Sequence, residues 1–139
     1  MSIIRLATAT TFLLLSALHI YWACGGRWGS AMAVPSRGEG PLFTPSKPAT
    51  VVVATLLLMA AIIIFLRVDL PASRTLEFVT RWGAWTLTAI FTLRAIGDFH
   101  WIGFFKTVRE TGFGTLDSWL YSPLCLLLAV GSAVAAIRR

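Results

Sequence analysis

Four ionisable or polar side chains, His19, Arg94, Asp98 and Asp117, stand inside or beside long apolar stretches of this chain, with Trp22 and Tyr121 as aromatic neighbours. An ionisable residue within a membrane span costs about 2.5–3.5 kcal/mol on insertion scales, so such residues should face a bundle interior and have partners. Arg94 and Asp98 are four residues apart, so on a continuous helix they share a face and can pair as ions. His19 is expected at a similar depth in an antiparallel neighbour, where it could meet Asp98. A neutral His19 satisfied by Asp98 or by a hydroxyl is one expectation. Another is a His19 general base oriented by Asp98, with Arg94 stabilising developing negative charge. Asp117 can cap a helix before Trp119 or add its charge to the same cluster.

Other chemistries fit less well. A haem held by His19 is an alternative, but His100 lies about 200° around the helix from Asp98 and is a poor second ligand. No metal site is expected. Cys24 and Cys125 differ in expected depth by about 8–9 Å, beyond the ~7 Å limit for a disulfide, and no Cys-x-x-Cys pair is present. The starts of the second and fourth spans could attract an anion near Arg94 and Lys106, which Asp117 opposes. Nucleotide-loop, metalloprotease and serine-nucleophile motifs are missing.

The elements that position these residues follow from composition. Of 139 residues, 57% are hydrophobic and 13% charged, against about a quarter charged in a soluble domain. Apolar stretches at 6–24, 48–66, 82–105 and 119–137 each approach the ~20 residues needed to cross a bilayer. Barrel-like alternation is absent, so an all-α bundle of four transmembrane helices with up-down antiparallel topology and short loops is expected as a single domain. The first stretch is read as an uncleaved span, lacking a small-x-small processing site. Ser46 before Pro48 predicts a capped start for the second span, and Asp117 or Ser118 a cap for the fourth. Trp22, Trp28, Trp101, Trp119 and Tyr21 are expected at one membrane boundary, Trp82 and Trp85 at the other.

The net charge of +6 is scattered through loops, which argues against nucleic acid as a partner. Arg5, Arg67, Arg74, Arg81, Arg138 and Arg139 fall on one side of the four spans. Arg27, Arg37, Lys47, Lys106 and Arg109 fall on the other, so the positive-inside rule puts both termini in the cytoplasm of a cell whose inner membrane holds the protein. The loop from Gly25 to Lys47, broken by glycines and prolines, is too short for a domain. Gly131 and Ala135, like Ala129 and Ala133, permit close helix contact within the bundle or between copies.

Three ordered motifs carry a family resemblance: His19-Ile20-Tyr21-Trp22 with Gly25-Gly26; Arg94-Ala95-Ile96-Gly97-Asp98-Phe99 with Gly103-Phe104-Phe105-Lys106; and Asp117 with Tyr121-Ser122-Pro123-Leu124-Cys125. With Pro35, Leu42-Phe43 and Pro45, they resemble the bacterial membrane protein family called domain of unknown function 3995 over essentially the whole chain. Gly114 and Ser118 depart mildly from that pattern, which has Ala and Thr there. The resemblance implies four membrane helices and supplies no activity. The functional expectation is a protein that binds or transports a small molecule in an outer pocket of His19, Trp22, Arg94, Asp98, Asp117 and Tyr121. Its alternatives are an accessory subunit docking a membrane protein partner and an intramembrane enzyme built on His19 and Asp98.

Overall fold

The computed structural model describes residues 3–37, 39–67 and 73–137. Four helices pack antiparallel: α1 (Ile3–Ala23), α2 (Lys47–Leu66), α3 (Arg74–Ile96) and α4 (Gly112–Ile137). α1 packs along α2 and α3 along α4, while α1–α4 and α2–α3 contacts complete the bundle. Three of them, α1, α2 and α4, are long and apolar enough to cross a membrane. α3 has 23 residues but carries Arg74, Glu77 and Arg81 near its start and Arg94 in its last turn.

The runs of Val and Ile in α2 favour strands in water, but in lipid the backbone finds partners only within the segment, so the stretch is helical. Ser46 caps it by accepting from the Ala49 N–H at 3.3 Å, with Pro48 in the first turn, as its sequence predicts. Phe12 in the middle of α1 and Ile64 near the end of α2 are fully buried, and Phe12 meets Phe91 edge-on with ring centroids 5.1 Å apart. Gly131 lets α4 approach α1: a Cβ there would stand 2.0 Å from Thr8 Oγ1. Close packing within one chain thus accounts for at least this small residue. At the end of the bundle that holds the start of α1, Arg67 Nε donates to Ala135 O at 2.9 Å, placing a cation at the C-terminal end of α4, and Arg5 donates to Arg67 O.

Two boundaries differ from the sequence expectation. The third helix runs Arg74–Ile96, not 82–105, capped by Ser73 accepting from the Leu76 N–H at 3.3 Å. Trp82 and Trp85 therefore sit about two to three turns inside α3, after its charged start at Arg74, Glu77 and Arg81. The helix stops because Gly97 takes φ +89° and the chain doubles back, with the Phe104 N–H bonding Ala95 O at 2.8 Å. A Cβ on Gly97 would lie 1.8 Å from Ile102 O, and one on Gly103 (φ +88°) 2.3 Å from Ile96 O, so only glycines permit this crossing.

The fourth helix begins at Gly112, ahead of the expected 119, and its cap is Thr111, which accepts from the Gly114 N–H at 2.9 Å. Asp117 and Ser118 lie inside it. A single π turn at Asp117–Tyr121 widens the helix just before Pro123, whose missing N–H and bulky ring disfavour a regular turn there. Cys24 is exposed, Cys125 partly buried, and both are free thiols.

Candidate functional site

Antiparallel packing brings the end of α1, the start of α2, the end of α3 and the start of α4 to one end of the bundle. Two polar regions form there.

The first centres on Asp117, which is fully buried. Its Oδ1 accepts from Arg94 Nη2 at 2.7 Å, and its Oδ2 from the Gly103 N–H at 2.8 Å, Lys106 Nζ at 2.9 Å and Ser122 Oγ at 3.2 Å. Lys106, also buried, directs its other two protons to Gly103 O at 3.1 Å and Ser118 Oγ at 2.7 Å, which uses all three. Arg109 supports the same turn, donating to Lys106 O and Phe104 O at 3.1 Å each. The node thus ties the end of α3, the following loop and the first turns of α4 together.

Two cations share one carboxylate in this node. Arg94 tempers that excess: its side chain is 28% exposed and lies at the C-terminal, electronegative end of α3. Its Nη1 is buried with no hydrogen-bond partner among the described residues. A buried carboxylate saturated by four donors, beside an ammonium with no proton to spare, is an ionic latch and has little capacity to act as a base.

The second region is a half-open cleft of about 730 Å³ between α1, α2 and the 25–46 loop. His19 and Trp22 enter it from α1, Ala49, Thr50 and Val53 from α2, and Val34, Pro41 and Phe43 from the loop. His19 Nδ1 lies 2.8 Å from Leu15 O, and its ring meets Trp22 edge-on at 5.0 Å. Trp22 Nε1 donates to Trp28 O at 2.8 Å, pinning the loop to α1. Gly26 lies under the Tyr21 ring, which a Cβ there would meet at 2.3 Å and push aside. The loop is folded back on itself by the Leu42 N–H bonding Pro35 O at 2.8 Å.

The six expected site residues are therefore divided. Arg94 and Asp117 meet in the node, and His19 and Trp22 line the cleft. Tyr121 lines neither; its hydroxyl donates to Met32 O at 3.0 Å, linking α4 to the loop that roofs the cleft. Asp98 is exposed on the loop after α3 and pairs with neither Arg94 nor His19. Its Oδ1 accepts from the backbone N–H groups of His100, Trp101 and Ile102 at 2.9, 2.7 and 3.0 Å. What burial it has pushes its carboxyl up, but the Ile102, His100 and Trp101 N–H donors outweigh this and hold it below the usual carboxylate range. The expected Arg94–Asp98 pair and His19–Asp98 dyad fail for one reason: Gly97 ends the helix before Asp98. His100 contacts Thr107 Oγ1 at 3.1 Å and does not line the cleft.

The family model described as "Protein of unknown function (DUF3995)" matches residues 12–132. The chain belongs to the DUF3995 family. That span of the DUF3995 chain contains both the Asp117 node and the His19 cleft. No curated protein and no solved structure matches it. Lys106, Gly103 and Ser122 complete the DUF3995 node without having been singled out as site residues. One signal pointed to Lys106, since a lysine ending the apolar Trp101–Phe105 run needs a buried counter-charge, and Gly97-Asp98 reads as the end of a helix that brings that loop back to α4.

Proposed function

We propose that this multi-pass membrane protein binds a small, largely apolar molecule in the His19 cleft. The observation that carries the reading is the cleft itself, about 730 Å³ with mainly apolar walls and an imidazole set into the α1 side. Volumes of about 300–1,000 Å³ with few polar groups are typical of small-molecule sites. The cleft lies at the loop end of the bundle, where a molecule dissolved in the bilayer edge can reach it. In this reading that end faces outward from the cell membrane, because the opposite end carries six of the basic residues against five. The Asp117 node holds the scaffold and takes no part in binding.

Native mass spectrometry of protein gently extracted from its own membrane tests this. The wild type should retain a low-mass passenger that Ala49→Trp, which fills the cleft, loses while remaining folded. A wild type without a passenger, but with a stoichiometric protein partner retained in both forms, would overturn the reading in favour of an accessory subunit.

A further inference from the structure

The polar side chains of the cleft differ in which of their hydrogen-bonding atoms remain available. His19 Nδ1 is 2.8 Å from Leu15 O, and a carbonyl oxygen can only accept, so Nδ1 carries the hydrogen. In a neutral ring Nε2 is then an unprotonated acceptor. Thr50 Oγ1 donates to Ser46 O at 3.0 Å, which leaves it lone pairs and no proton to offer. Trp22 Nε1 donates to Trp28 O, and Ser30 Oγ donates to Arg27 O at 2.8 Å.

Depth sharpens the pattern. His19 lies four residues inside the end of α1 and Thr50 three inside the start of α2, roughly 4–6 Å below the helix ends at 1.5 Å per residue. Thr44 and Ser46, the remaining lining hydroxyls, precede α2 and belong to the loop side of the cleft. The two polar side chains that enter from within the helices, His19 and Thr50, therefore present hydrogen-bond acceptors, whereas the hydroxyls of Thr44 and Ser46 lie on the loop side. Lys47 and the N-terminal end of α2 stand beside the mouth and disfavour a cationic occupant.

Resting on the cleft being the binding site, we infer that it selects an apolar molecule whose polar end is a neutral hydroxyl, an alcohol or a phenol, donating to His19 Nε2. Ketones, ethers and esters would set lone pair against lone pair at His19 Nε2 and gain no hydrogen bond there. A site that hydrogen-bonds a substrate hydroxyl rejects the analogue lacking it far more strongly than a purely apolar pocket does.

The test uses the full chain in lipid nanodiscs, labelled with ¹⁵N-histidine, with 4-octylphenol and its methyl ether 4-octylanisole as probes. The chain has two histidines, so His100→Gln assigns the His19 resonances. Without probe, His19 should show a protonated Nδ1 and a bare Nε2. Phenol should move the Nε2 resonance saturably, and anisole should bind at least about tenfold more weakly. His19→Phe keeps a ring of similar shape and should abolish the preference, read as phenol and anisole competing equally for the cleft. Because the tautomer and the titration are read on the wild type, a poorly folding variant does not blunt the test. If phenol and anisole bind alike, or Nε2 carries the proton in the free neutral ring, the hydroxyl inference falls while the cleft reading survives. If neither probe reaches saturable binding, both fall.

Discussion

The Asp117 node and the His19 cleft occupy the same end of one bundle and use their polar groups in opposite ways. In the node, every oxygen of Asp117 and every proton of Lys106 has a partner, and the carboxylate is fully enclosed. In the cleft, the partly buried His19 ties down one ring nitrogen to its own helix while lining open volume. Charge in a low-dielectric setting must be compensated at once, so the charged residues close on each other. An imidazole tied by one nitrogen to its own helix can keep the other nitrogen free. In this membrane protein the paired charges mark the scaffold, while the histidine marks the place with room for a ligand.

Breaking the node should have the largest effect. Asp117→Ala leaves Lys106 buried without a counter-charge and should destabilise the bundle by about 3–5 kcal/mol, measured by reversible unfolding in mixed micelles. Lys106→Met added to Asp117→Leu should recover part of that loss. Gly103→Ala tests the same node through its backbone: a Cβ in a left-handed residue, against Ile96 O, should cost at least about 1–3 kcal/mol. An unchanged unfolding midpoint in either case would show that the node is not a latch.

The link between the regions is Tyr121. Removing its hydroxyl with Tyr121→Phe should cost about 1 kcal/mol and speed hydrogen exchange around Met32, leaving exchange in α3 unaltered. If exchange rises equally in both places, cleft and node are one cooperative unit.

Asp98 provides a pH handle outside both regions. Its folded pKa is depressed, so its contribution to order is present above the unfolded value of about 3.9 and is lost as pH falls through the folded value. The turn at 98–102 should therefore stay protected from hydrogen exchange down to about pH 4 and loosen below it. Asp98→Asn should remove that acid transition. The smallest effect on stability belongs to His19→Phe, expected within about 1 kcal/mol, because His19 bonds only within its own helix. A loss as large as that of Asp117→Ala would erase the contrast between the two regions.

Much of this architecture was legible in residue order. Ser46 and Pro48 announced the start of α2 because a cap and a proline act within one turn. Arg94 and Asp117 stood out by the rarity of charge among apolar residues, and the structure pairs them with each other. The actual partner of Arg94 was not legible, since the four-residue rule that pointed to Asp98 assumes a helix that Gly97 does not continue. Trp101-Ile102-Gly103-Phe104-Phe105 is as apolar as a span, yet its glycine lets it fold into a turn.

By itself the sequence determined that this chain lives in lipid, that it forms a helical bundle, and which residues are costly enough to require partners. Those properties follow from composition and from interactions within a turn or two. Only the tertiary structure decided who pairs with whom: Asp117 with Arg94 and Lys106, His19 with its own helix and the cleft. Those choices depend on how each helix is rotated about its axis and on where glycines turn the backbone. Both are settled by packing between segments far apart in the chain.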